Sequence, residues 1–251
     1  MTLLANFRDL GGILTRDGRR VRAGRVLRSA APAYASASEL DTMATLGVRY
    51  ICDFRSDPER PADPSQWTRA CGIDYWLPNV GKSVGDPVVA LARCTIDVQT
   101  TEALVHDVYR RIAFDQGPSF RLLFARLLAG EYPHLIHCAS GKDRTGVFVA
   151  LLLHALDVPR PTILADFALS NNAVGHITRV FRDDPRHAPL IAAPEEVWAP
   201  LMRADPAVLE TLHATLEKGY GSLDRFLDQE LGVGSAERQR LREQLLENQE
   251  R

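Results

Sequence analysis

The chain reads as an α/β protein: a parallel or mixed sheet with helices packed on it. Short β-rich runs alternate with helical patterns. One apolar stub, "HLIH", passes within a few residues into a long buried helix pattern, "TGVFVALLLHAL". With 251 residues, 45% hydrophobic and 25% charged, the chain has enough apolar residues for one sizeable core. A single domain over 1–251 is the expectation.

The elements follow in order. "NFRDLGGILTRDGRRVRAGRVLRSA" mixes short apolar pieces with Gly-Gly and Asp-Gly signals, and predicts a loop with a short hairpin or edge strands. "SASELDTMATLG" is a helix with both ends marked, by a Ser36-x-x-Glu39 capping box and by Gly47 as its stop. "VRYICDFRS" predicts a central strand ending at Asp53, and "DPERPADPSQW" a proline-rich loop. "IDYWLPN" predicts another strand. From Asp86 to about Gly130 the pattern is helical, broken at Gly117-Pro118. After the strand and helix of 134–158, Pro159 and Pro161 open a further helix, "TILADFALSNNAV". "FRDDPRHAPLIAAPEE" predicts an exposed irregular segment. The last 45 residues predict two amphipathic helices joined by "LGVGSAE", with Gly232 and Gly234 stopping one and Ser235 capping the next.

Bulk properties narrow the function. A formal net charge of −2 lacks the basic excess of a dedicated nucleic-acid binder. No apolar run reaches the roughly 18 residues that span a bilayer, and the opening "MTLLANFRDLGG" lacks a secretory pattern. A cytoplasmic location is expected. The four cysteines (Cys52, Cys71, Cys94, Cys138) form no C-x-x-C pair, against a disulfide framework or a cysteine zinc site. His134 and His137, three apart on a strand, point to opposite faces and make a poor metal pair. No metal and no cofactor is expected; the oligomeric state is left open.

The chemistry concentrates in "HLIHCASGKDRTG". A strand turning sharply into a helix aims successive backbone N–H groups at one point, and the helix dipole adds to their pull on an anion. Gly141 permits the backbone angles this requires. Arg144 at the helix start can bridge two phosphate oxygens with its planar fork. Ala139, Ser140, Gly141, Lys142 and Thr145 complete the expected phosphate-binding loop. Cys138 lies where its sulfur would sit under the bound phosphorus, and a helix N-terminus with a neighbouring cation favours the thiolate, the nucleophilic form. Thr145 could donate a hydrogen bond to that sulfur, and His137 could orient the loop. Asp143 is the nearest carboxylate to protonate a leaving oxygen and then activate water; Asp53, at the end of its own strand, is the reserve. A cysteine ending a strand is commonly an inert buried hydrophobe. "GKDR" also fails as a Walker A loop, with Ile136 and Asp143 where that motif needs Gly and Ser or Thr. The conjunction of His-Cys, five residues and Arg-Thr-Gly favours chemistry over packing.

"HCASGKDRTG" resembles the C-x5-R signature loop of cysteine-dependent phosphatases, in particular a bacterial tyrosine-phosphatase family. Its members act on phosphotyrosine, in some cases on phosphoserine/threonine, and on phosphoinositides. "NFRDLGG", "CDFRSDPER", "DFALSN" and "YGSLDRFLDQELGV" resemble its other elements, with Phe54 replacing a usual leucine. The resemblance implies a central, mostly parallel sheet flanked by helices, a cysteine-phosphatase-like fold with C-terminal helices. It implies Cys138 as the phosphocysteine nucleophile, Arg144 as the clamp and Asp143 as the acid, since no Trp-Pro-Asp loop is present. Lys142 would add a second cation at the pocket, a feature shared with phosphoinositide phosphatases. Phosphorylated proteins or phosphoinositides are the implied partners. Some members carry a helical lid, which 84–116 or 172–202 could supply here. Arg8, Asp9, Arg55 and Glu59 could line the pocket or brace it. A protective Cys52–Cys138 disulfide is conceivable if their strands are neighbours. Two rivals remain: a catalytically inactive phospho-ligand-binding module, and a rhodanese-type sulfurtransferase, whose loops do not usually carry the "GKDRTG" interior.

Overall fold

The computed structural model describes residues 4–32, 35–60, 72–78, 97–183 and 185–247. Five strands form one sheet in the order β1-β2-β5-β3-β4: β1 (Arg8–Asp9), β2 (Val26–Ser29), β3 (Tyr50–Asp53), β4 (Asp74–Trp76) and β5 (His134–His137). β2, β5, β3 and β4 run parallel, and only β1, at the edge, is antiparallel to its neighbour. This is the expected α/β class with a mostly parallel sheet.

Two apolar layers cover the sheet, which explains why β5 is buried along its whole length. Alternate side chains of a strand point to opposite faces. Leu135 therefore joins Leu27, Met43, Val48 and Ile51 beneath helix α1 (Ala37–Thr45). Ile136 joins the main core on the other face, with Cys52 and Phe54. That core is built on α2 (Val98–Asp115), α3 (Gly117–Leu128) and α4 (Asp143–Ala155). Phe148 of α4 meets Phe54, Phe120 and Phe124 at ring-centroid distances of 5.9, 5.4 and 4.9 Å. The phenylalanine at 54 thus fills an aromatic cluster.

The local signals at α1 hold, with the Ser36–Glu39 capping box formed and Gly47 at φ 65 just past the helix. Three readings need correction. The 181–196 stretch is not irregular: α6 (Val174–Asp183) runs into it, and a 3-10 turn (Pro185–His187), α7 (Ala188–Ile191) and α8 (Glu195–Met202) follow. Ile177 and Phe181, one turn apart, bury against Trp198 and Met202, and the His187 ring stacks on Phe181. Pro185 and Pro189 stand in first turns and Pro194 is the N-cap of α8, where proline is tolerated; Pro200 lies inside α8. The C-terminal stretch holds three helices, not two: α9 (Pro206–Tyr220), α10 (Leu223–Leu231) and α11 (Ser235–Leu245). Gly221, at φ 82, stops α9, and Ser222 caps α10 through its hydroxyl. Gly234, not Ser235, is the N-cap of α11.

Of the two stretches expected to supply a lid, 84–96 lies outside the described residues. The rest of the first is α2, a packing helix whose Val105, Val108, Tyr109 and Ile112 belong to the main core. In the second, α6 and α8 share a small apolar cluster against which Leu104 of α2 also packs. No helix among the described residues is long and apolar enough to cross a membrane.

What matters for the site is the register. His137 pairs with Ser29 on one side and Asp53 on the other, so β2, β5 and β3 end level. The loops that follow all leave from one edge of the sheet, where ligands of such folds bind.

Candidate active site

β5 ends at His137 and α4 begins at Asp143, leaving residues 138–142 as the connecting loop. Gly141 adopts φ +67, and a Cβ there would lie 2.1 Å from the Ser29 carbonyl oxygen, so only glycine fits. Each loop carbonyl is held from outside. Cys138 O lies 3.1 Å from His137 Nδ1. Ala139 O accepts from the Ala31 amide at 2.9 Å, Ser140 O from Asn6 Nδ2 at 3.0 Å and Gly141 O from Arg28 Nη2 at 2.7 Å. Lys142 O accepts from the Gly146 amide at 2.8 Å. In a trans peptide the N–H opposes the C=O, so the following amides turn to the inner side. Among the described residues, the amides of Ala139, Ser140, Gly141, Asp143 and Arg144 donate no hydrogen bond; that of Lys142 meets Ser140 Oγ at 3.3 Å. The result is a ring of unpaired donors at the start of α4, an anion cradle.

Cys138 is a free thiol, 1% exposed, at the base of this ring on the core face of the sheet. A negative charge on it would favour the protonated forms of Arg28, Tyr109 and Arg144. Cys52, on the neighbouring strand β3, is also a free thiol, so the conceivable disulfide is not formed.

Arg144 is held in one pose by Glu59. Nη1 donates to Glu59 Oε2 at 2.7 Å and to Phe54 O at 3.0 Å, and Nη2 donates to Glu59 Oε1 at 2.5 Å. Ser56 fixes Glu59 in turn, its amide and hydroxyl donating to Oε2 at 2.8 and 2.6 Å. The motif "RSDPE" is therefore a capped 3-10 turn that delivers one carboxylate to one guanidinium. Burial alone would raise the Glu59 carboxyl, but Arg144 and Ser56 outweigh it and hold it at about 2. Arg144 is likewise held above its usual range, because Glu59 overcomes the effect of burial. Among the described residues, the Nε hydrogen of Arg144 and one on Nη2 have no acceptor, an edge fork free for two anion oxygens.

The two candidate carboxylates sit very differently. Asp143 is 30% exposed at its side chain; Oδ1 accepts from Tyr109 Oη and Lys142 Nζ, both at 2.7 Å, while Oδ2 has no partner among the described residues. Asp53 is fully buried and saturated. It accepts from the Arg55 amide and guanidinium at 2.8 to 3.1 Å and from Tyr75 Oη at 2.5 Å. Burial pushes the Asp53 carboxyl up, yet His137, Arg55 and Tyr75 together bring it below the usual carboxylate value. Asp53 braces the strand end and is not placed as a reserve acid.

His137 lies against the loop: burial lowers its pKa, and its Nδ1 faces two oxygens, Cys138 O and, at 3.6 Å, Asp53 Oδ1. The Thr145 hydroxyl makes no bond to the sulfur, being buried with no hydrogen-bond partner. Lys142 does not present a second cation to the cradle. Its ammonium, on a residue 2% exposed, is bonded to Asp143 Oδ1, to Leu201 O at 2.9 Å and to Arg203 O at 3.2 Å. Arg8, Arg55 and Glu59 are braces, and Asp9 accepts from the amides of Gly11 and Gly24 at 2.8 and 2.6 Å. Asn6, Arg28, Tyr109 and Asp166 have no role assignable from sequence alone. Asn6 and Asp166 fall in the motifs "NFRDLGG" and "DFALSN", while Tyr109 carries no local signal.

The model of the tyrosine phosphatase family matches residues 1–247 of this chain. A protein of Cupriavidus necator, whose name assigns it provisionally to the tyrosine-protein phosphatases, is 33% identical over 240 residues, covering 93% of this chain and 84% of the relative. The triple specificity protein phosphatase PtpB of Mycobacterium tuberculosis is 30% identical over 271 aligned positions, covering 96% of each. Among solved structures, the core catalytic domain of the PP-IP phosphatase SIW14 from S. cerevisiae overlaps 68% of this chain and 78% of its own, at 14% identity and a TM-score of 0.41. The chain belongs to the tyrosine phosphatase family and is a protein-tyrosine-phosphatase-like hydrolase.

Proposed function

We propose that the chain hydrolyses phosphate monoesters through a phosphocysteine intermediate, with Cys138 as nucleophile, Arg144 as clamp and Asp143 as the group that moves the proton. The observation that carries this reading is the loop over Cys138, with its carbonyls tied outward and unpaired amides within. In the first step the Cys138 sulfur attacks phosphorus, the P–O ester bond breaks, and the leaving oxygen takes a proton from Asp143 Oδ2. In the second, water attacks phosphorus, its proton passes to the Asp143 carboxylate, the S–P bond breaks and orthophosphate leaves. The amides of 139–141 and 143–144 and the Arg144 fork stabilise the equatorial oxygens of both transition states. Ala139 and Ser140 shape the cradle with Gly141.

Phosphotyrosine is the substrate class the family supports first. Acceptance of further substrates, phosphoserine/threonine or phosphoinositides, accords with the triple specificity in the name of the mycobacterial relative. The catalytically inactive alternative is the weaker reading, because Cys138, Asp143 and Arg144 are all present.

The test is Cys138→Ser assayed on p-nitrophenyl phosphate, with acid-quenched wild type examined for phosphate on Cys138 by mass spectrometry. Loss of at least about a thousandfold in kcat, and a labelled Cys138 in the wild type, are expected. A serine variant that turns over normally would overturn the nucleophile. Phosphopeptide binding by the wild type without release of phosphate would favour a binding module.

A further inference from the structure

Two of the loop carbonyls are gripped by side chains that lead back to a single carboxylate. Asp166 in α5 (Arg160–Ala168) is 7% exposed and accepts from two arginines, Arg8 Nε to Oδ1 and Arg28 Nη1 to Oδ2, both at 2.8 Å. One arm continues from Arg28, whose Nη2 donates to Gly141 O at 2.7 Å. The other runs through Arg8 Nη1 to Asn6 Oδ1 at 2.6 Å, and from Asn6 Nδ2 to Ser140 O at 3.0 Å. Both arms end on consecutive peptides of the cradle.

This arrangement is expensive if it serves packing alone. Arg28 is completely buried, its Nε has no hydrogen-bond partner, and it shares one carboxylate with a second guanidinium. Burying a charge without a full counter-ion is strongly unfavourable. Burial lowers the Arg28 pKa to about 10, so it stays cationic at neutral pH, and Arg8, Arg28 and Asp166 together keep one uncompensated positive charge behind the loop. A bound phosphoryl dianion in front of the loop is a natural complement to that charge.

We propose that Asp166, Arg8, Arg28 and Asn6 are positioning residues of the phosphatase reaction: a two-armed strut that pulls the carbonyls of Ser140 and Gly141 outward, so that the Gly141 amide is aimed at the transferring phosphoryl group and the Lys142 amide is turned inward onto Ser140 Oγ. None of the four touches the substrate. The assignment rests on the phosphatase reading and adds to it the origin of the cradle's geometry. A donor misaimed in a preorganised site loses a large part of its effect on the transition state.

Asn6 offers the cleanest test, because at φ 55 it occupies the left-handed region, which Gly and Asp also tolerate. Asn6→Gly removes the arm, while Asn6→Asp keeps the acceptor for Arg8 but has no N–H for Ser140 O. Both should lower kcat on p-nitrophenyl phosphate by about tenfold with KM moved less than about threefold, and weaken orthovanadate inhibition by the same factor as kcat/KM. Arg28→Met should lower kcat by about a hundredfold. If Asn6→Gly and Asn6→Asp keep the wild-type melting temperature and also keep kcat and vanadate affinity within twofold, the strut is overturned. Equal losses in melting temperature and activity, with vanadate affinity unchanged, overturn it too, since that is the signature of packing. Failure of the phosphatase reading looks different: a folded wild type that neither releases phosphate nor binds vanadate.

Discussion

Asp143 and Asp53 flank the same loop, and each was a candidate acid from sequence. Asp53 takes five donor contacts from Arg55 and Tyr75 and is fully buried, so no oxygen is left to exchange a proton with a ligand. Asp143 is fastened by one oxygen only, through Tyr109 and Lys142, and keeps the other open on a partly exposed face. A carboxylate that moves protons must be anchored without being saturated. The difference between the two is one of environment, as the pairing of roles in other two-carboxylate sites also teaches.

The comparison is broken most directly by neutralising each carboxylate. Asp143→Asn should slow alkyl phosphates by about a hundredfold or more, and aryl phosphates with good leaving groups distinctly less. Equal slowing of both would remove Asp143 from proton transfer. Asp53→Asn should instead destabilise the fold by about 3 kcal/mol, by stranding Arg55 in the interior, with no dependence on the leaving group. Chemical denaturation beside a leaving-group series checks both.

Glu59 extends the comparison to a carboxylate used only for grip. Its folded pKa is depressed from 4.5 to about 2, so the stability it contributes is fully present above 4.5 and is lost as pH falls towards 2. Glu59→Gln should therefore be less stable at neutral pH and should show a flatter acid limb between those values. It should also lower kcat/KM by about tenfold by freeing Arg144 to leave its pose. An unchanged acid limb would show that the pair adds nothing to stability.

The smallest effect sharpens the role of Lys142. With its ammonium on Asp143 and on two carbonyls near the end of α8, Lys142→Ala should cost about tenfold, alike on phosphotyrosine peptides, phosphoserine peptides and phosphoinositides. A loss confined to the lipids would put the ammonium on a head group instead.

The reach of the sequence follows from distance along the chain. The loop itself was legible, because strand, cysteine, arginine and helix start are contiguous and each has a local signature. So were the capped ends of α1 and the strand ending at Asp53. Lys142 was misjudged because two of its acceptors are backbone carbonyls some sixty positions away, at Leu201 and Arg203, and no residue type marks a carbonyl. The arms from Asp166 were invisible for the same reason, joining residues more than a hundred positions apart. Helices α6 to α8 were missed because prolines and charges masked a short apolar stripe whose partners, Trp198 and Met202, come later in the chain.

The contact between Gly141 and the backbone of Ser29 bears on how this scaffold can be redesigned. Even a methyl group at 141 would collide with a main chain that cannot rotate aside, so that position is closed to variation whatever ester is being cleaved. Ala139 and Ser140 are only partly buried. A library meant to retune this catalyst towards bulkier or flatter leaving groups should diversify those two places and leave the glycine alone.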